Sequence, residues 1–269
     1  MDDLFNVMSE IHHKKNLVPL YENIKNLLES GVNPNIQNDR GETPLIILSS
    51  KSVDLSNNDK WISMYHSIIN IIKLLLDNGA DPNITDNYGQ TPLIVATCCN
   101  NILPFDVIKL LLDYGADPNI SNKDDTPLKD SIIYEWDEIT KLLLEYGADP
   151  NIPYSDGTTS LHLAVSEDNI DIVRLLLEYG ANPLLENNEG TAYDIAINNE
   201  QFNIAKLLKY YMMMYKMQHR RRRNLTYRKK RTQLAYKNLA LSKLLDTYDV
   251  DEPLTRHMRR ETIRSVMDY

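Results

Sequence analysis

Apolar residues recur along this chain at i, i+3 and i+4 in short runs that stop at a glycine. Ile72, Leu75 and Leu76 lead to Gly79; Ile139, Leu142 and Leu143 lead to Gly147; Ile172, Leu175 and Leu176 lead to Gly180. That spacing lays each trio on one stripe of a helix, and the glycine supplies the left-handed residue that ends a helix without Cβ strain. The stop belongs to a phrase, G-(A/V)-(D/N)-P, at Gly31, Gly79, Gly115, Gly147 and Gly180, at spacings of 48, 36, 32 and 33 residues. A second phrase, T-P-L or a near variant, begins at Thr43, Thr91, Thr126, Thr159 and Thr191 and keeps step with the first. A threonine hydroxyl caps the orphan N–H groups of a helix start, and proline fits the first helical position, where a missing N–H costs nothing. Thr43-Pro44 and Thr91-Pro92 therefore start helices. The D-P-N-I segments after the glycines are extended by their proline and tightened by Asp81, Asp117 and Asp149, whose carboxylates bond nearby backbone N–H groups. One unit is thus helix, loop, helix, turn. A single such hairpin cannot bury its apolar stripe, so the stack of units is the stable object.

GQTPLIVA, GTTSLHLAVSEDNIDIVRLLLEYGANP and GADPNI resemble ankyrin repeats, and the resemblance runs over roughly residues 15 to 210. It implies an all-α solenoid of stacked helix-loop-helix units, with hairpin fingers projecting from one edge and a concave surface that takes partner proteins. The expected units are an N-terminal cap over 1–38, repeats over 39–86, 87–121, 122–153 and 154–186, a terminal repeat over 187–212, and a basic helical tail over 213–269. The Asn- and Ile-rich, degenerate repeats also resemble those of large families encoded by giant, mimivirus-like DNA viruses, which would put the protein in a host cell.

Departures from the pattern locate its irregularities. Thr43 to Gly79 is 15 residues longer than the matching stretch of later units. The extra segment, about residues 50–65, carries Trp61 and Tyr65 and reads as a contact loop, an overlong helix start or a tolerated surface insertion. The family's histidine after T-P-L remains only at His162, where the resemblance implies a structural tie between repeats. The third finger, SNKDDT, is one residue short and lacks glycine, which predicts a distorted turn near Lys123 to Asp125. The terminal unit ends without a glycine, so its last helix is free to run on.

Charge divides the chain. Residues 1–209 carry 14 Lys and Arg against 32 Asp and Glu, whereas residues 210–269 carry 15 against 6. Nine of those bases fall from Lys216 to Arg231 with no acid among them, eight of them in two blocks, Arg220, Arg221, Arg222, Arg223 and then Arg228, Lys229, Lys230, Arg231. Such a cluster resembles a nuclear localisation signal, would neutralise nucleic-acid phosphates or a membrane surface, would be drawn to the acidic body at low salt, or is a solvated tail. Beyond it Leu234, Leu241, Leu245 and Tyr248 lie close to one helical face, suited to sealing the stack or meeting a partner. No apolar run is long enough for a membrane span and the start is no signal peptide, which predicts an intracellular, cytoplasmic or nuclear protein. The adjacent Cys98 and Cys99 lie in an apolar run and read as buried thiols, and the sequons at Asn83, Asn119 and Asn224 as coincidence.

No phosphate loop, nucleophile elbow, zinc-protease or dinucleotide motif is present, and the recurring acids belong to turns. The reading is a non-enzymatic, monomeric protein-binding module with no catalytic residue, cofactor or metal. Its candidate partner contacts are Arg40, Tyr88, Lys123, Tyr154 and Asp156 at the finger tips, with Trp61 in the insertion. The alternative reading is a nucleus- or nucleic-acid-associated adaptor whose tail binds while the repeats recruit.

Overall fold

A computed structural model describes residues 2–9, 18–50, 58–98, 104–122 and 125–246, with the backbone alone over 2–3, 9, 18, 58–63, 104, 219, 221–227 and 234–246. It separates into two compact units, Met1–Tyr211 and Met212–Tyr269. In the first unit helices come in pairs: α1 (Asp2–Ser9) with α2 (Val18–Glu29), α3 (Pro44–Ser49) with α4 (Asn58–Asp77), α5 (Pro92–Thr97) with α6 (Pro104–Asp113), α7 (Pro127–Ile133) with α8 (Asp137–Glu145), and α9 (Ser160–Ser166) with α10 (Ile170–Glu178). They are followed by α11 (Ala192–Asn198) and the start of α12 (Phe202–Asp246). Odd-numbered helices from α1 to α11 each pack on the next odd one, and even-numbered helices from α2 to α10 on the next even one, giving an inner and an outer row. One continuous core runs between the rows, from Leu4 and Leu20 through Leu75, Leu111, Leu143 and Leu176 to Leu208. The trios predicted as apolar stripes face it, with Leu175 half-buried at its margin.

Starts and stops form as the sequence dictates. The Thr43, Thr91 and Thr126 hydroxyls accept from Ile46 N, Ile94 N and Lys129 N at 3.2, 3.2 and 3.0 Å, each with proline next in the helix. Gly79, at φ +87°, closes α4: its N–H donates to Leu76 O at 3.1 Å and that of Ala80 to Leu75 O at 3.0 Å. This paired 5→2 and 6→1 closure needs a left-handed residue. The same closure ends α7, α9 and α11 on Glu135, Asp168 and Glu200 at φ 56°, 55° and 59°, where no glycine relieves the strain.

The insertion resolves partly as helix. Residues 58–65 are the first turns of the 20-residue α4, while 51–57 lie outside the described residues. Tyr65 donates its hydroxyl to Asp106 of the next outer helix, and in the reverse sense Tyr114 donates to Asp77 and Tyr146 to Asp113 of the preceding one. At the other end α12 continues past the last repeat without a stop, as the missing glycine allows.

Candidate functional site

Each finger is a tight hairpin that opens the next inner helix. In the first, Asn38 N–H donates to Glu42 O at 3.1 Å and Gly41 N–H to Asn38 O at 2.8 Å, with Gly41 at φ +75°. The second (86–90) and fourth (154–158) repeat that geometry. The fifth forms two short strands, β1 (Glu186–Asn187) and β2 (Gly190–Thr191), paired antiparallel. The third, lacking glycine, closes one residue tighter: Asn122 and Asp125 exchange N–H···O bonds of 3.2 and 2.9 Å. Lys123 at its tip lies outside the described residues.

The candidate contacts therefore diverge. Arg40 is exposed at the first tip, where its carbonyl accepts from Asn87 N–H at 3.0 Å, and Tyr88 is 74% exposed at the second. Asp156 is exposed at the fourth tip and accepts from Thr158 N–H at 2.8 Å and Thr158 Oγ1 at 3.0 Å, bonds that hold its carboxyl below the usual range. Tyr154 turns inward: its hydroxyl shares a 3.0 Å hydrogen bond with Ser160 Oγ, and Lys129 Nζ stands 5.3 Å from its ring centre. Burial pushes its phenol up to about 12. Trp61 falls in α4, its side chain outside the described residues. Of the basic cluster, Arg220 and Arg228, Lys229, Lys230 and Arg231 are exposed on α12; the side chains of Arg221, Arg222 and Arg223 are outside the described residues, as are those of Leu234, Leu241 and Leu245 and all of Tyr248.

Two features escaped sequence reasoning. One is a ladder of asparagines joining neighbouring repeats. Asn83 Nδ2 donates to Gly115 O at 3.0 Å while its Oδ1 accepts from Asp117 N–H at 2.7 Å. Asn35, Asn119 and Asn151 make the same two bonds to Gly79 and Asp81, Gly147 and Asp149, and Gly180 and Asn182. The predicted Asp turns are present inside it, Asp81, Asp117 and Asp149 each accepting at 2.9 Å from the backbone N–H two residues on. The asparagine of D-P-N-I carried the signal, and at Asn83 and Asn119 it is the sequon residue.

The other feature is Asp130 on α7. Four residues after their capping threonines, three inner helices present Ile47, Val95 and Leu163, half-buried and apolar; in the same register α7 carries an acid. Asp130 is 5% exposed. It accepts from Thr97 Oγ1 at 3.3 Å, long for a hydroxyl, and from Cys98 Sγ at 3.4 Å, and burial pushes its carboxyl up to about 6. Cys98, expected as a buried apolar thiol, is instead half-buried, and its thiol donates to Asp130; Cys99 lies outside the described residues. His162 is structural as expected: it accepts from Thr159 N–H at 3.2 Å and completes that helix start, and burial holds its imidazole below its ordinary value.

Among the described residues no group of His, Cys, Asp and Glu could hold a metal ion, and no helix is long and apolar enough to cross a membrane. The stack of capped helix pairs with fingers is the architecture of a repeat-built binding scaffold. A family model, ankyrin repeats in three copies, matches residues 61–154 and again 137–218, more than half the chain, and the protein belongs to the ankyrin-repeat family. No curated protein matches it. Ankyrin repeats mediate protein–protein interaction, and a protein partner is what this family membership assigns to the chain.

Proposed function

We propose that this chain is a non-enzymatic, monomeric module that holds a partner protein through its finger tips and the exposed face of its inner helices. One observation carries the reading. The positions the fold consumes are alike from repeat to repeat: capping threonines, closing glycines, ladder asparagines and core leucines. The exposed positions are unlike: Arg40, Tyr88 and Asp156 occupy the first, second and fourth tips, and Ser50, Ile133 and Ser166 the exposed ends of inner helices. Sites the fold leaves free are where a scaffold's specificity resides. Affinity capture with the intact chain and with an Arg40→Ala, Tyr88→Ala, Asp156→Ala variant of unchanged circular dichroism tests it. Loss of the captured partner is expected, and undiminished capture would reject these contacts.

A second reading rests on the exposed bases Arg228 to Arg231 on α12, within a stretch that carries no acid from Lys216 to Arg231. Such a helix suits an import receptor or nucleic-acid phosphates, making the protein a nuclear adaptor rather than a cytoplasmic one. A tail neutralising several phosphates gives a steep fall of log affinity with log salt, whereas a protein interface does not. Deleting residues 216–231 from a tagged chain and imaging it tests import, and retained nuclear accumulation would reject that role. The Asn- and Ile-rich repeats favour a giant-virus setting, with both partners then in the host cell.

A further inference from the structure

Fingers open the inner helices at one end, and short connections to the outer helices close them at the other. Asn169 Nδ2 donates to Asp137 Oδ1 at 3.2 Å and Gln201 Nε2 to Val165 O at 2.9 Å, so the third, fourth and fifth connections lie side by side. Aligned on their left-handed residues, Glu135, Asp168 and Glu200, they differ in what they carry. The fourth has Ser166, Glu167 and Asn169, and Asn169 caps α10 by accepting from Ile172 N–H at 3.0 Å. The fifth has Asn198, Asn199 and Gln201. The third has Ile133, Tyr134 and Trp136 in the same places, and α8 starts without a side-chain capping bond. Ile133 is 41% and Tyr134 42% exposed, and the half-buried Trp136 ring stands 5.3 Å from that of Tyr134, the planes tilted by 33°. Exposed apolar side chains where the neighbouring repeats are polar, beside a cap forgone, mark a surface kept for contact rather than for folding.

The charges within these three connections are all carboxylates. Glu135, Asp137 and Glu138 are exposed beside Tyr134, and Glu167, Asp168 and Asp171 in the next repeat, while residues 133–138, 166–171 and 198–203 hold no Lys or Arg. The two flanking bases are engaged elsewhere: Lys129 with Asp125 at 3.3 Å, at the other end of α7, and Lys141 with Glu145 at 3.8 Å, further along α8. An aromatic face and a ring of carboxylates suit the same group, a guanidinium or ammonium, the first through the quadrupole of the ring and the second through charge.

Resting on the reading of the array as a protein-binding module, we infer that the connection between α7 and α8 docks a basic segment of a partner protein. An arginine or lysine stacks on Tyr134 among Glu135, Asp137 and Glu138, and a neighbouring aliphatic side chain packs on Ile133. The exposed apolar residues set the place, and the carboxylates around them set the occupant, repelling the phosphates of nucleic acid or anionic lipid. This contact lies at the opposite end of the inner helices from the finger tips.

Selection of a random 12-residue peptide library on the intact chain, after depletion on an Ile133→Ser, Tyr134→Ser variant of unchanged circular dichroism, tests the proposal. The surviving peptides are expected to share an Arg or Lys next to Leu, Ile or Val. A fluorescein-labelled survivor, measured by anisotropy at fixed salt, should bind Tyr134→Ala at least about tenfold more weakly, the loss usual for an anchoring aromatic. Glu138→Gln should weaken it roughly two- to fivefold, the range of an exposed charge pair. Tyr179→Ala, equally exposed but at the far end of α10, should change its affinity less than about twofold. Survivors without a basic residue, or an affinity that Glu138→Gln leaves unchanged, overturn the basic occupant. No survivors overturn the docking site, and depleted peptides that the Arg40, Tyr88 and Asp156 substitutions release then leave the finger contacts standing. Self-association of the chain that Tyr134→Ala abolishes overturns the partner segment and assigns the connection to a second copy.

Discussion

Replacing Asp130 by asparagine should stabilise the protein at neutral pH, and the size of the gain follows from where the carboxyl sits. It is 5% exposed, and its pKa rises from an ordinary 3.8 to about 6, chiefly through burial. The charges around it are Asp125 and Lys129 of its own finger and helix, with the Cys98 thiol donating from the preceding repeat and Tyr154 close by in the next finger. Each pKa unit corresponds to about 1.4 kcal/mol, so the charged form weakens the folded state by about 3 kcal/mol at pH 7. The sign is that of an acid whose folded pKa lies above its unfolded one: the native state holds the extra proton. The contribution of Asp130 to stability is therefore most favourable below about pH 4, falls as pH rises from there to about 6, and is flat beyond. In Asp130→Asn the amide oxygen still accepts from Thr97 and Cys98, but its two N–H groups need partners, which trims the gain at pH 7 to roughly 1–3 kcal/mol. Urea unfolding of both proteins at pH 4 and pH 7 measures it. The difference should be small at pH 4 and favour the variant at pH 7. A variant less stable at pH 7 would mean that the Thr97 and Cys98 bonds outweigh desolvation, and equal differences at both pH values would remove the burial argument altogether.

Other perturbations probe the scaffold. Asn119→Ala removes both bonds to the next repeat and should cost about 1–2 kcal/mol, with faster hydrogen exchange at the Asp149 amide; unchanged exchange there would show the ladder to be idle. Gly115→Ala meets no atom within 4 Å and should cost only the strain of φ +87°, about 1 kcal/mol, whereas in Gly41→Ala the new Cβ would lie 2.6 Å from Asn87 Oδ1 and 2.8 Å from Asn87 N. Chemical denaturation should rank Gly41→Ala well below Gly115→Ala, and the reverse order would contradict the finger packing. Glu135→Gly relieves a left-handed side chain and should raise stability by about 0.5–1 kcal/mol in the same assay, any loss counting against strain at the end of α7.

The helix pairs, their starts and stops and the running-on of the last helix were legible in the chain because each depends on contacts a few residues apart: a threonine hydroxyl and the N–H three residues on, a left-handed glycine and the carbonyls before it, an apolar trio within two turns. The candidate site was legible only in part. Arg40, Tyr88 and Asp156 stand exposed at their tips as their turns imply, but Tyr154, at the base of the same finger as Asp156, turns inward because Ser160 and the Lys129 side chain receive it. Asp130 escaped the sequence reading, because its place in a register of aliphatic positions gives it no environment. Its near-complete burial, its bonds to Thr97 and Cys98 and the asparagine ladder come from contacts between residues about 30 apart in sequence. Local chemistry determined the unit; how units stack decided which side chains meet, because that stacking sets distances no single repeat contains.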